Sequence, residues 1–363
     1  KTWSYASFLR DLDIEYANLY LGGKTLGDVY PPELEDEWQR ISQKMKAFIR
    51  AFNLAKINLK DACLYDLIPE SFLLEWCDIK TKICAHVFEN YEKPANYNFL
   101  LELTKVLEDI KHQELNIDVE SLKSQLGDYK SRAFLKKIHN CEPYIRYNIF
   151  GTVTGRLTTE KNSFPILTLN KDYRKILKPS NTWFVEMDFN AAEFRTFLAL
   201  NGEEQPQEDL HTWNVENVFQ GAGTREEAKT RLFAWLYNPN SEDHLLNRMY
   251  DREKLFKENW KDGKITTKFD RAIEVDERRA LNYLIQSTSS DLFLRQMIKI
   301  NKILENSESK IAFSLHDSVI VDMAEEDKHL LPSMIDTFSN TDFGKYLVNV
   351  KAGKDFGNMR KLR

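Results

Sequence analysis

Two apolar stretches, far apart in the chain, each run into an aspartate. The first is Trp183-Phe184-Val185-Glu186-Met187-Asp188, followed at once by a helix-like pattern with Phe194, Phe197 and Leu198 on one side and Glu193 and Arg195 as charged members. The second spans Ile311–Leu315 and Val319–Val321, two short strand-like runs around His316-Asp317-Ser318, which read as a tight hairpin. A strand that ends in a carboxylate and passes directly into a helix puts a metal ligand on rigid scaffolding. Two such carboxylates point to a divalent-metal site, with Mg²⁺ the expected ion. The alternative is two unremarkable strand-end acids.

Composition narrows the class. At 363 residues, 42% hydrophobic and 29% charged, the chain is long enough for two or more lobes with a sizeable core. A net charge of −5 gives no global basic signal, yet a basic cleft can sit inside an acidic total. Cys63, Cys77, Cys84 and Cys141 show no metal-ligand spacing and read as core or helix-face thiols. No apolar run approaches the roughly 20 residues that cross a bilayer. The sequence begins at Lys1 rather than Met, which is compatible with a fragment and leaves a lost targeting segment open.

Up to about residue 140 the expectation is mostly helical. Gly22-Gly23 reads as a turn; an amphipathic helix follows within Glu33–Leu67, then helices over 70–90, 97–112 and 119–139, with Gly127 a soft point in the last. Lys123, Lys130, Lys136 and Lys137 either touch a phosphate backbone or form a solvated face. From Tyr144 the texture changes. Arg156 lies among glycines and hydroxyls in Gly151-Thr152-Val153-Thr154-Gly155-Arg156-Leu157-Thr158-Thr159, a groove or backbone contact for nucleic acid, or else a turn with a surface arginine. Lys171, Arg174, Lys175 and Lys178 form a basic patch just before the Asp188 strand, and polyanionic substrates need both features.

Asp209-Leu210-His211 opens another helix. Thr224 caps the next, on which Arg225, Lys229, Phe233 and Tyr237 recur at intervals of four: two cations, then two rings, along one stripe. Cations on such a stripe hold phosphates while the rings stack on a base; the competing reading is surface cations beside a core seam. Residues 238–270 show no obvious chemistry. A long helix from Val275 to Met297 carries Arg278, Asn282 and Gln286 on one face, suited to minor-groove acceptors. The basic tail from Lys351 to Arg363 reads as uninformative about chemistry.

Taken in order over about 144–323, these segments resemble the polymerase domain of the family A (DNA polymerase I-like) DNA polymerases. Thr154 to Thr159 is similar to that family's TGRLSS segment, and Asp188 to Arg195 to its motif A, DYSQIELR. Asp209-Leu210-His211 is similar to its D-[IL]-H segment, and Arg225, Lys229, Phe233 and Tyr237 match RxxxKxxxFxxxY. Arg278 to Thr288 resembles RAAIN-x-x-x-QGT, and His316-Asp317-Ser318 resembles motif C, HDE. The departures are Ser318 for Glu, Asn190 for Ser, Ser287 for Gly, and Trp235 and Asn238 in a helix whose end usually carries glycine. HDS is the form carried by the related single-subunit RNA polymerases.

The resemblance implies an α+β right hand: a helical N-terminal region with the thumb over 1–143, palm over 144–210 and 276–363, and helical fingers over 211–275. It implies template-directed addition of deoxynucleotides to a primer 3′-OH by two-metal chemistry, with Asp188, the Phe189 carbonyl and Asp317 as ligands of two Mg²⁺ ions, Mn²⁺ being a substitute. Arg225 and Lys229 would clamp the triphosphate, with Lys229 also the acid for the leaving group. Phe233, Tyr237, Glu193 and His211 would line the nucleotide site, Glu193 excluding a ribose 2′-OH. Arg156, Arg278, Asn282, Gln286 and His316 would hold the primer-template. The implied partners are primed DNA, deoxynucleoside triphosphates and a processivity or replisome protein, with no membrane. A phage-type enzyme in the host cytoplasm is expected, an organellar one being left open, and no 3′-5′ exonuclease domain precedes the polymerase region, so the chain is expected not to proofread. The alternatives are an RNA-synthesising or primase-like relative and a catalytically silent nucleic-acid-binding protein.

Overall fold

The computed structural model describes residues 14–59, 62–125 and 128–362. Gly127 lies outside the described residues, as does the side chain of Lys123. The chain divides into two compact units, the first ending at Glu108 and the second beginning at Asp109.

The first unit is helical. Its longest elements are Glu35–Leu54 and Glu70–Asn90, packed through Ile41, Met45, Phe52, Phe72, Ile79 and Ile83. The helix expected within Glu33–Leu67 stops at Leu54. Lys56 takes a positive φ of 54°, the Ile57 N–H bonds to the Phe52 carbonyl and the Lys56 N–H to that of Asn53. That is a Schellman end with lysine where glycine usually stands, so the sequence carried no stop signal.

The second unit is built on a five-stranded antiparallel sheet in the order Arg360–Lys361, Val348–Gly353, Trp183–Phe189, Ser318–Met323, Lys310–Leu315. The Asp188 strand is therefore an inner strand. Alternation sorts its side chains. Val185, Met187 and Phe189 are buried on one face, where Phe189 stacks on Phe338 of the helix Leu331–Ser339 at 4.4 Å between centroids. The other face carries Phe184, Glu186 and Asp188. The start of the basic tail belongs to the sheet: Val348–Gly353 pairs with the Asp188 strand, setting Asn349 opposite Asp188 and Lys351 opposite Glu186.

Helices cover the sheet, the longest being Glu277–Ile303. A second core joins Phe194, Phe197, Leu232, Trp235, Leu236, Leu246 and Leu255. Beside it, within the 211–275 stretch expected to be helical fingers, lies a three-stranded antiparallel sheet: Trp260–Lys261, Lys264–Thr266 and Ala272–Glu274. Its first turn is Asp262-Gly263, with φ of 51° and 76°. Two successive positive φ values are what an Asp-Gly hairpin supplies. None of the four cysteines forms a disulfide, and no described helix is long and apolar enough to cross a membrane.

Candidate active site

The register of the sheet brings the two predicted carboxylates together. Ser318 lies directly across from Asp188 in the antiparallel ladder, so Asp317, one residue earlier in the turn, adjoins it. Both carboxyls are half-buried and both are pushed upward. Burial raises Asp188 to about 7, helped by the negative charges of Glu186 and Asp317 and opposed by Lys351 and the Asn349 amide. Burial likewise raises Asp317 to about 6, with Arg156 opposing and Glu193 reinforcing. Two desolvated, mutually repelling carboxylates are a poor arrangement alone and a good one for divalent cations. Among the described residues no group of three or more His, Cys, Asp or Glu is arranged to hold a metal. Two carboxylates suit Mg²⁺ nonetheless, because Mg²⁺ keeps waters and takes its remaining oxygens from substrate phosphates.

Each carboxylate is followed or preceded by a non-glycine residue in the left-handed region: Ala191 at φ 53° and His316 at φ 55°. Ala191 turns the chain from the strand into the helix Ala192–Leu200. A side chain at such a φ costs about 1 kcal/mol. Ala191→Gly is therefore expected to leave stability unchanged or raise it by about 0.5 kcal/mol, the gain being trimmed by a looser unfolded chain. Denaturant melts of the two proteins would read this; a loss above about 1 kcal/mol would show that the methyl group matters more than the strain.

Arg156 reaches the site from the small hairpin Tyr147–Asn148 with Thr158–Thr159. The buried Tyr147 hydroxyl donates to the Ser314 carbonyl at 2.5 Å, tying that hairpin to the Asp317 hairpin. Glu193, on the first turn of its helix, accepts from the Arg156 guanidinium and from the Tyr237 hydroxyl. Thr154 donates to the Gln286 amide oxygen at 2.8 Å. His316 sits at the hairpin tip, where partial desolvation of its ring and the charges of Arg156 and Arg174 hold its pKa down.

The helix Arg225–Tyr237 begins with a full capping box between Thr224 and Glu227. Its buried residues are Ala228, Leu232, Trp235 and Leu236, so the stripe Arg225, Lys229, Phe233, Tyr237 lies beside the core face and is not the core seam. Lys229 is exposed and Phe233 half-buried. Arg225 differs from the expected phosphate clamp: it makes a two-pronged bond to Asp209, at 3.0 and 2.8 Å. Burial alone would raise Asp209, yet Arg225, the Thr212 N–H and the Asn190 amide hold its carboxyl well below the usual range. His211 is buried with an unpartnered Nδ1, and burial lowers it to about 4, so it is neutral at pH 7. Arg278 is exposed and Asn282 half-buried, and both line a cavity with Tyr237.

Sequence reasoning missed four participants. Glu186 and Lys351 bond across the strands at 2.7 Å beside Asp188. Arg271 bonds in two prongs to the fully buried Asp291, at 2.9 and 2.7 Å, and lies against Gly155. Only the strand alternation of Glu186 with Asp188 gave any signal for these.

Residues 244–358 match the model of DNA polymerase family A, a stretch that includes Asp317 and the long helix but not Asp188 or the stripe. The chain is 24% identical over 234 residues to the thermostable DNA polymerase I of Thermus aquaticus, covering 50% of this chain and 28% of that protein. It is 23% identical over 268 residues to that of Thermus filiformis, covering 59% and 32%. The chain thus spans less than a third of the length of these relatives. Its fold is similar to the POL domain of Pol1 from M. smegmatis, solved in complex with DNA primer-template and dNTP. The TM-score is 0.63 at 13% identity, over 79% of this chain and 75% of that one. These matches support homology to a family A polymerase domain and an α+β fold of that kind.

Proposed function

We propose that this chain is a DNA-directed DNA polymerase that adds deoxynucleotides to a primer 3′-OH. The observation that carries the proposal is the pairing of Asp188 and Asp317 across adjacent strands, beside a helix whose stripe runs from exposed cations to half-buried rings. Two Mg²⁺ ions, or Mn²⁺ in their place, would activate the 3′-OH and neutralise charge on the leaving pyrophosphate. Asp188 and Asp317 would hold them, with the Phe189 carbonyl as a further oxygen. In this reading residues 144–210 and 276–363 form the palm, 211–275 the fingers, and 1–143 include the thumb.

The remaining side chains bind and orient. Lys229 is free to meet the triphosphate and to protonate the leaving group. Arg225 would first exchange Asp209 for phosphate. Neutral His211 can donate a hydrogen bond there without adding charge. Phe233 and Tyr237 would pack on the incoming nucleotide, while Arg156, Arg278, Asn282, Gln286 and His316 would contact the duplex. Glu193, already fixed by Arg156 and Tyr237, would crowd a ribose 2′-OH and leave it unpaired.

The test is primer extension on primed DNA with deoxy- and ribonucleotides supplied separately. Deoxynucleotide incorporation is expected, and Glu193→Ala should lower the preference for deoxynucleotides about 10- to 100-fold. A preference for ribonucleotides in the unaltered chain would favour the RNA-synthesising reading suggested by Ser318. No incorporation of either would favour a silent binding protein.

A further inference from the structure

We infer that Arg252 is a positioning residue for nucleotide selection, acting by clamping the end of the helix that carries Tyr237. The inference rests on the polymerase reading above.

An α-helix leaves its last carbonyls without partners, and a glycine or asparagine in the left-handed region commonly supplies the turn that satisfies them. The Arg225–Tyr237 helix ends otherwise. Asn238 is extended, with φ −99° and ψ 108°, and Pro239 follows. The carbonyl of Trp235, in the last turn, and three carbonyls just beyond the helix are met by a side chain from the first position of the helix Arg252–Asn259, with the short helix His244–Met249 between the two. Arg252 Nη1 donates to the carbonyls of Trp235 and of Asn238, the latter at 3.0 Å. Its Nη2 donates to Pro239 at 3.2 Å and Ser241 at 2.8 Å. The guanidinium also lies 5.2 Å from the centre of the Trp235 ring.

A cation at a helix C-terminus is favoured by the helix dipole. Only a planar fork can reach carbonyls on both sides of a chain reversal; an ammonium offers one nitrogen. The clamp also brackets Tyr237, since its acceptors at Trp235 and Asn238 lie on either side of that residue. Tyr237 is the last helical residue and bonds to Glu193, which bonds to Arg156. Tyr237 and Arg252 line the same cavity of about 760 Å³ with Arg278 and Asn282. A helix end free to swing would carry the Tyr237 ring away from Glu193, loosening the wall that the sugar and the base pair would meet.

Full-length Arg252→Gln and Arg252→Lys should be compared with the unaltered chain in single-nucleotide incorporation on primed DNA. The expected result for R252Q is a KM for the matched deoxynucleotide raised about three- to tenfold with kcat little changed, and a deoxy-over-ribo preference lowered about three- to tenfold. R252K should fall between. Adding R252Q to Tyr237→Phe should lower the preference no further than either change alone, because both would act through one contact. A lowered melting temperature with KM and preference intact would mark Arg252 as a helix cap only and overturn the inference. So would an R252K protein that melts and discriminates as the unaltered chain does, which keeps the test decisive if R252Q does not fold. Failure of the unaltered chain to incorporate any nucleotide is a separate result and removes the polymerase reading itself.

Discussion

Asp188→Asn is expected to lower nucleotide incorporation by on the order of 10³-fold or more, about 4 kcal/mol of barrier, and at the same time to stabilise the metal-free protein above neutral pH. The second effect follows from the site's own electrostatics. Asp188 is raised from its ordinary 3.8 to about 7 by burial and by Glu186 and Asp317. A carboxyl raised in the folded state is held more tightly by its proton there than in the unfolded chain. Its contribution is therefore fully favourable below about pH 4, declines as pH rises, and is lost above about pH 7. Removing the charge should recover on the order of 2 kcal/mol at pH 8 after allowance for solvent screening. Melting curves without divalent ions, at pH 5 and pH 8, would show the unaltered protein losing stability between them and Asp188→Asn losing less. Mg²⁺ should raise the melting temperature of the former more than of the latter. Asp317→Asn should behave alike with a smaller pH effect, since Asp317 is raised only to about 6. Full primer extension by either variant in Mg²⁺ would end the assignment.

What the sequence disclosed was whatever is local and periodic. The helix over Arg225–Tyr237 was legible because a capping threonine precedes a run with helical spacing and Pro239 follows it. The Asp317 hairpin was legible because two β-rich runs are separated by a short polar turn. The strand Val348–Gly353 was not, since its pairing with the Asp188 strand depends on residues some 160 positions away, although Val348 and Val350 alternate with Asn349 and Lys351. The short strands from Trp260 to Glu274 are two or three residues long, too short for periodicity, although Asp262-Gly263 was a readable hairpin signal.

The site divides in the same way. Asp188, Glu193, Lys229, Tyr237 and Asp317 could be named from spacing and resemblance, because each sits on a segment whose local pattern is distinctive. Their relations could not. That Arg225 is engaged by Asp209, or that Glu193 joins Arg156 to Tyr237, depends on which way side chains turn once three segments meet. Arg252 and Arg271 belong to a stretch that looked only polar. Each proves to be an arginine whose donors are consumed inside the protein, one by carbonyls and one by a carboxylate.

Arg271→Met is the second change expected to have a large effect, here on stability. Asp291 is fully buried, and Arg271 is 14% exposed in its side chain. Burial raises Asp291, and Arg271, with Arg295, opposes the rise. Without Arg271 the carboxylate must stay buried with one cation fewer, and breaking such a pair from one side costs about 3–5 kcal/mol. The sign with pH is again that of a raised carboxyl: the loss should shrink as pH falls and Asp291 takes up a proton, and grow toward pH 8. Arg271→Met combined with Asp291→Leu should recover most of it, because an apolar pair of similar volume avoids the charge altogether. The pair also bears on the site. Gly155 has a φ of 78°, and a Cβ there would come within 2.6 Å of the Arg271 guanidinium. Arg271 is thus the surface on which the Thr154–Arg156 segment rests, and losing it should weaken incorporation even in the charge-free double variant. Thermal melts across pH 4–8 for both proteins, with primer extension on each, separate the two effects. An Arg271→Met protein as stable as the unaltered chain at pH 8 would mean that Asp291 is neutral in the fold and that the contact with Gly155 is packing alone.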